Sequence, residues 1–282
     1  MIEMKGAVRM KFAKDIKWLL KNINEKNVRI VDCRFSLLDP QKGKSEYQKS
    51  HIPGAVFFDL EQDLSAAVQE HGGRHPLPNL EEFAGKLEKA GIGDNIAVIA
   101  YDAGEGAFAA RFWWLLHYLG HNDVYVLDGG YQGWLEGNHP VNNEIPVFEK
   151  AELQIFIRNE LLATVEEVKQ AVNKKDKILI DSRELNRYLG LQEPIDKKAG
   201  HLPGAINKPW QEGFINQRYK SSDEQRQRFS ELKPDQEIIV YCGSGVTAVP
   251  NFLSLTEAGF KHVKLYAGSF SDWISYPENK IE

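Results

Sequence analysis

The chain repeats itself once, and this repeat constrains the fold more than any other feature of the sequence. Four short blocks occur in the same order in both halves: 28–34 with 177–183, 51–55 with 201–205, 96–102 with 237–242, and 128–134 with 267–273. The spacing between partners falls from about 150 to about 140 residues along the chain, as loops of unequal length would produce. Two homologous domains in tandem follow.

The two copies are separated by the polar segment 138–146, which contains two prolines and is typical of a linker. We predict a first domain over residues 1–145, a linker over about 138–155, and a second domain over 155–282. Within each copy, short runs rich in β-branched residues alternate with longer segments of helical period. This pattern predicts an α/β fold in which each domain is a parallel sheet flanked by helices.

Charge and cysteine content limit the partners and the compartment. The 282 residues include 35 Lys and Arg against 40 Asp and Glu, a net charge of −5, which disfavours general binding to nucleic acid or to anionic membranes. Two cysteines are too few for a disulfide framework and are typical of a reducing compartment. Charged residues such as Lys5 and Arg9 interrupt the N-terminal segment, so we expect no signal peptide and a cytoplasmic location. Composition leaves the oligomeric state open.

The segment from Cys242 to Thr247 is the strongest chemical signal in the chain. It lies between a predicted strand and a predicted helix whose first turn can hold Pro250. Gly243 and Gly245 let successive backbone N–H groups point at the sulfur, and the helix dipole adds positive potential. Both effects favour a thiolate, so we predict that Cys242 is a nucleophile. Cys33 lacks such a loop and is expected to be inert.

Other repeated polar residues have a simpler interpretation. The pairs Asp32 with Arg34 and Asp181 with Arg183 occur in both copies, including the copy without the cysteine loop, which favours a structural role. His51 and His201 each begin a His-x-Pro-Gly turn and are expected to fix that turn. No metal-binding motif is present, so we predict no metal.

These motifs together resemble the tandem rhodanese-domain sulfurtransferases over nearly the whole chain. In that family the N-terminal domain lacks the nucleophile, and here Asp102 stands where the second copy has Cys242. The resemblance implies two rhodanese-like domains, a persulfide on Cys242, a small anionic sulfur donor, and a thiol or cyanide acceptor, with no organic cofactor. It also implies that the loop residues Gly243, Gly245, Val246 and Thr247 bind the substrate.

The loop composition points to a subfamily. Thiosulfate sulfurtransferases resemble Cys-Arg-Lys-Gly-Val-Thr in this loop, whereas mercaptopyruvate sulfurtransferases resemble Cys-Gly-Ser-Gly-Val-Thr, the form found here. We therefore expect 3-mercaptopyruvate as the donor, with thiosulfate as the alternative. Ser244 could handle a proton in catalysis, and Arg187 matches the arginine that binds the donor carboxylate.

The chain departs from the family nine residues after Arg187. Mercaptopyruvate enzymes usually carry a second arginine there, but this sequence has Asp196, followed by Lys197 and Lys198. Either one of these lysines replaces the arginine or the donor differs from mercaptopyruvate. We expect the site to lie between the two domains, because ligands of open α/β sheets bind at the carboxyl edge of the strands.

Two other classes of function fit the sequence less well than a sulfurtransferase. Cysteine phosphatases need an arginine six residues after the nucleophile, and that position is Ala248 here. A non-catalytic interaction module would suit the first domain alone. It does not suit the second domain, which keeps both Cys242 and the glycine loop.

Overall fold

The structure is a computed structural model that describes residues 10–282. The N-terminal charges Lys5 and Arg9 lie outside the described residues. Both halves contain an open parallel sheet with helices packed on its faces, which confirms the predicted α/β class. No helix within the described range is long and apolar enough to span a membrane.

The first domain holds a five-stranded sheet in the order β1-β5-β4-β2-β3, with every neighbouring pair parallel. Its strands are β1 (Ala13–Lys14), β2 (Val28–Asp32), β3 (Ala55–Phe57), β4 (Ala97–Tyr101) and β5 (Val124–Leu127). Its helices are α1 (Ile16–Asn22), α2 (Lys42–Lys49), α3 (Leu80–Lys89), α4 (Ala107–Tyr118) and α5 (Gly130–Glu136). The central strands β2 and β4 are almost wholly buried, as strands covered by helices on both faces must be.

The second domain repeats this plan with a four-stranded parallel sheet in the order β11-β10-β6-β7. Its strands are β6 (Ile178–Asp181), β7 (Ile206–Asn207), β10 (Glu237–Tyr241) and β11 (His262–Leu265), and a separate antiparallel pair is formed by β8 (Phe214–Ile215) and β9 (Arg218–Tyr219). Its helices are α6 (Val165–Lys174), α7 (Leu185–Tyr188), α8 (Ser222–Arg228), α9 (Val249–Ala258) and α10 (Ser269–Trp273). The register of the two central strands is the same in both copies. Asp32 pairs with Tyr101 in the first sheet, and Asp181 pairs with Tyr241 in the second.

One hydrophobic core joins the two domains. It includes the buried apolar residues of α4 and of α9, the helices that follow the two equivalent loops, and these helices pack against each other. The connecting segment runs along the first domain, where the N–H groups of Phe156 and Arg158 donate to carbonyls at the end of α4. It reaches the second sheet at Ala163, whose N–H donates to Leu265 at 2.9 Å. The carboxyl ends of both sheets therefore stand close to the domain boundary.

Candidate active site

The Cys242 loop curls around its own sulfur at the carboxyl end of β10. Cys242 is buried, and Sγ accepts the N–H of Gly245 at 3.1 Å. Gly245 has a φ of +75°, and a Cβ placed there would lie 2.0 Å from the carbonyl oxygen of Ala267. Because an L-residue would be strained and would collide with backbone, this turn requires glycine.

A long loop of the first domain completes the site from the opposite side. The N–H of Gly72 donates to Asp272 at 2.7 Å, and the N–H of Arg74 donates to the Ser271 hydroxyl at 3.0 Å. These bonds dock the loop on α10 and bring the Arg74 and His75 side chains to the cysteine loop. The candidate site therefore lies between the two domains, as the sequence predicts.

Ser244 is held by a histidine that the sequence analysis did not identify. Nδ1 of His75 lies 2.8 Å from Oγ of Ser244, and both side chains are buried. Burial, with the positive charges of Arg111 and Arg74, lowers the pKa of His75 to about 3. The imidazole is therefore neutral near pH 7 and can either accept the hydroxyl proton or donate to the hydroxyl oxygen.

Arg187 lies on α7 and reaches the loop at Gly243. The position that a Cβ on Gly243 would take is 3.3 Å from Nη2 of Arg187. Nε and Nη2 of Arg187 donate to Glu193 at 3.1 and 2.8 Å, and Nη2 also donates to Asp196 at 2.8 Å. Two carboxylates therefore fix the orientation of this guanidinium group.

Arg74 of the first domain also approaches Gly243. Its Nη2 lies 2.8 Å from the Cβ position of Gly243, and its Nη1 donates to Asp196. Asp196 thus bridges two arginines from different domains, although it occupies the position of the second arginine in the family pattern. Lys197 and Lys198 are exposed and line a neighbouring groove of about 250 Å³.

The acidic partners of these arginines belong to a longer line of alternating charges. The line runs from Asp181 through Arg183, Glu193, Arg187 and Asp196 to Arg74. Burial raises the pKa of Glu193, but hydrogen bonds from Arg187 and from backbone N–H groups outweigh it and hold that pKa below its usual value. The line ties the end of β6 to the first domain.

Val246 and Thr247 complete the cysteine loop and lead into α9. Val246 is buried in the common core, its carbonyl accepts the N–H of Val249 at 3.1 Å, and Thr247 is half-buried. The loop thus gathers Cys242, Gly243, Ser244 and Gly245 with these two residues, and Arg187 stands over it. Their roles in binding and catalysis stay predictions.

Cys33 lies in the core of the first domain, and the two repeated ion pairs are buried at the ends of β2 and β6. Burial, with Asp32, Asp102 and Asp63, raises the pKa of the Cys33 thiol well above its usual value, so that thiol is protonated. The pair Asp32 with Arg34 is buried at 2.7 Å, and Asp181 with Arg183 repeats it at 2.6 Å.

The two turn histidines bind backbone oxygens. Nδ1 of His51 lies 2.7 Å from the carbonyl of Tyr47, and Nδ1 of His201 lies 2.8 Å from that of Tyr188. Across residues 10–282 no group of three or more His, Cys, Asp and Glu side chains could hold a metal ion.

Arg74 and His75 could not be found by comparing the two copies. They follow Gly72 and Gly73 in a loop of the first domain that has no equivalent block in the second. The local signal is an arginine and a histidine between two glycines and Pro76, and it does not indicate what the loop contacts.

Comparison with known proteins finds the same domain twice in this chain. A model described as a rhodanese-like domain matches residues 15–137 and again 164–276. The chain is 41% identical over 269 residues to a probable 3-mercaptopyruvate sulfurtransferase of Pseudomonas aeruginosa, covering 93% of this chain and 95% of the relative. It is 34% identical over 281 residues to a thiosulfate sulfurtransferase of Rattus norvegicus, covering 94% of this chain and 93% of the relative.

Solved structures give the same result. The crystal structure of SseA from Escherichia coli, described as a 3-mercaptopyruvate sulfotransferase with the rhodanese fold, superposes with a TM-score of 0.83 at 32% identity. That match covers 92% of this chain and 99% of the solved one. With two matched domains and a cysteine loop in the second, this chain belongs to the rhodanese-like family and is one of its tandem-domain sulfurtransferases.

Proposed function

We propose that this enzyme takes sulfur from 3-mercaptopyruvate, carries it as a persulfide on Cys242, and delivers it to a small thiol or to cyanide. This proposal rests on one observation, which is that the guanidinium groups of Arg74 and Arg187 both approach Gly243. Two guanidinium groups beside an uncharged loop suit one carboxylate next to the nucleophile. The relatives named above support both mercaptopyruvate and thiosulfate as donors, and the more similar of the two is named for mercaptopyruvate.

The arginines keep hydrogen-bonding capacity for a ligand. Nη1 of Arg187, and Nε and Nη2 of Arg74, have no hydrogen-bond partner within the described part of the chain. Asp196 lies at the same point, with Oδ2 3.4 Å from the Cβ position of Gly243, and orients both guanidinium groups, while Glu193 orients Arg187 as well. A donor carboxylate bound by the unpartnered nitrogens would present its thiol to Cys242, with the orientation set before reaction.

The first half-reaction transfers one sulfur atom. The Cys242 thiolate attacks the donor sulfur, the carbon–sulfur bond breaks, and its electron pair leaves with carbon as the enolate of pyruvate. The Ser244 hydroxyl protonates that carbon, giving pyruvate, and the proton on the transferred sulfur returns to Ser244. Neutral His75 keeps Ser244 oriented for both transfers.

The second half-reaction restores the enzyme. An acceptor thiol attacks the outer sulfur of the persulfide, the sulfur–sulfur bond breaks, and Cys242 leaves as the thiolate. Backbone N–H groups of the loop, such as that of Gly245, stabilise the negative charge in both states. We place this cycle in the cytoplasm, where thiol acceptors are kept reduced.

Steady-state kinetics with both donors test the proposal. Catalytic efficiency is measured with 3-mercaptopyruvate and with thiosulfate, each with cyanide and with a thiol acceptor. We expect mercaptopyruvate to be preferred with either acceptor, and a mass increase of about 32 Da, one sulfur atom, that dithiothreitol removes. A clear preference for thiosulfate would overturn the donor assignment, and absence of transfer from both would overturn the function.

A further inference from the structure

Arg111 is a fully buried cation that the chemistry described so far does not use. It lies on α4 in the first domain and is wholly shielded from solvent. Its Nη1 donates to the carbonyl of Gly245 at 3.2 Å, and its Nη2 donates to the carbonyls of Leu64 and His75 at 3.3 and 3.2 Å. One side chain therefore connects the cysteine loop with the loop that carries His75.

Within the described residues, no carboxylate pairs with this guanidinium group. None of the ion pairs among residues 10–282 includes Arg111, and its buried Nε has no hydrogen-bond partner. A buried charge without a counter-ion is costly, and proteins rarely keep one without a use. By contrast, the buried arginines Arg34 and Arg183 each pair with an aspartate.

Within the described residues, the negative charge that acts on Arg111 is that of the catalytic sulfur. Gly245 accepts from Arg111 through its carbonyl and donates to Sγ of Cys242 through its N–H at 3.1 Å. Burial lowers the pKa of Arg111 to about 10, and the negative charge of ionised Cys242 acts in the opposite direction. Arg111 is therefore still charged near pH 7.

The two arginines over Gly243, unlike Arg111, have an acidic partner. Arg74 and Arg187 both bind Asp196, and His75 is neutral for the reason given above. The thiolate is thus left with the backbone N–H groups of its loop and with the uncompensated charge of Arg111.

We propose that Arg111 is a positioning residue for sulfur transfer, in which the first domain supplies the fixed positive charge that keeps Cys242 and its persulfide ionised. The inactive domain then contributes to reactivity as well as to substrate binding. This inference depends on Cys242 being the nucleophile but not on the identity of the donor.

Two substitutions separate the charge from the hydrogen bonds. Arg111→Gln keeps hydrogen-bonding capacity and removes the charge, whereas Arg111→Lys keeps the charge and loses the planar geometry. Both are made in a Cys33→Ser background, so that Cys242 is the only thiol. Arg228→Gln, which changes a half-buried arginine that pairs with Glu212 and donates to the carbonyls of Lys208 and Pro209, controls for lost stability.

The readout is the rate of alkylation of Cys242 by iodoacetamide as a function of pH. We expect Arg111→Gln to move the midpoint of this profile upward by about one pH unit, because loss of a neighbouring opposite charge disfavours the ionised form. Alkylation on the acidic side should slow about tenfold. Arg111→Lys and Arg228→Gln should keep the parent midpoint.

A shift in the Lys variant equal to that in the Gln variant, or no shift in either, would overturn the role of the charge. Should the Gln variant fail to fold, Arg111→Met, which also removes the charge and has a long flexible side chain, takes its place with the same expected shift. The proposed function fails separately, if Cys242→Ser retains sulfur transfer.

Discussion

The carboxylate of Asp102 occupies, in the first domain, the place that the sulfur of Cys242 occupies in the second. Both follow a buried tyrosine at the end of the central strand, and both sit inside the loop that opens the next helix. Asp102 accepts four backbone N–H bonds, from Gly104, Gly106, Phe108 and Ala109, at 2.9–3.2 Å. The first copy therefore fills its loop with its own carboxylate, whereas in the second copy the N–H of Gly245 donates to the sulfur.

Each domain also covers the loop of the other. The first-domain segment that carries Arg74 and His75 closes over the Cys242 loop. The β8–β9 pair closes over the Asp102 loop, where the Tyr219 hydroxyl donates to Gly106 at 3.2 Å and its N–H to Asp128 at 3.0 Å. The first domain therefore supplies part of the surroundings of Cys242.

Replacing Cys242 should abolish the reaction without unfolding the protein. Cys242→Ser is nearly isosteric but removes the polarizable nucleophile, so we expect no persulfide and no sulfur transfer. Cys33→Ser is the matched control, and it should keep activity because Cys33 lies in the core of the first domain. Mass spectrometry and donor turnover measure both. A dead but folded Cys33 variant beside an active Cys242 variant would reverse the assignment.

Removing either arginine over Gly243 should weaken binding of the donor carboxylate. Arg187→Ala or Arg74→Ala loses charged hydrogen bonds worth about 1.5–3 kcal/mol, so KM for mercaptopyruvate should rise roughly ten- to a hundredfold. KM for thiosulfate, measured in parallel, should rise much less. Arg226→Ala, at an exposed arginine on α8, is the control and should change neither constant. Equal effects on both donors would argue against a carboxylate clamp.

Glycine at position 245 should be essential for activity. Gly245→Ala forces a Cβ to within 2.0 Å of the Ala267 carbonyl, so the loop must shift. A displacement of about 1 Å can cost on the order of a hundredfold in rate. Gly204→Ala has nearly the same backbone conformation, with a φ of +74° and open space around the added Cβ. It should lose only about 1–2 kcal/mol of stability and keep kcat, and similar kcat values for the two variants would contradict the packing argument.

His75 should make stability fall in acid. Its pKa is about 3 in the folded protein against an ordinary value of 6.5, so between those values the unfolded chain binds one proton more. The contribution of His75 to the free energy of unfolding is fully present above pH 6.5. Below pH 6.5 this contribution decreases by about 1.4 kcal/mol per pH unit. His75→Gln should remove that part of the slope. Urea unfolding at pH 7 and pH 5 measures it, and an unchanged slope would show that His75 titrates normally.

The sequence determined the repeated architecture and the enzyme class, and it predicted the nucleophile. The blocks around Asp32 and Asp181 are local patterns, and strands, turns and helix starts depend on neighbours in the chain. The loop from Cys242 to Thr247 is equally local, since its glycines and the following helix create the environment of the sulfur. For the same reason, the inert character of Cys33 could be predicted from its neighbours.

Only the tertiary structure decided how the first domain takes part. Arg74, His75 and Arg111 belong to segments whose partners lie well over a hundred residues away, and no periodicity or spacing records such a contact. The sequence presented Asp196 as a missing arginine, but in the structure it joins Arg74 to Arg187. The physical reason is that a carboxylate or guanidinium group gains its role from the charges that packing brings beside it, and packing is settled by the whole chain.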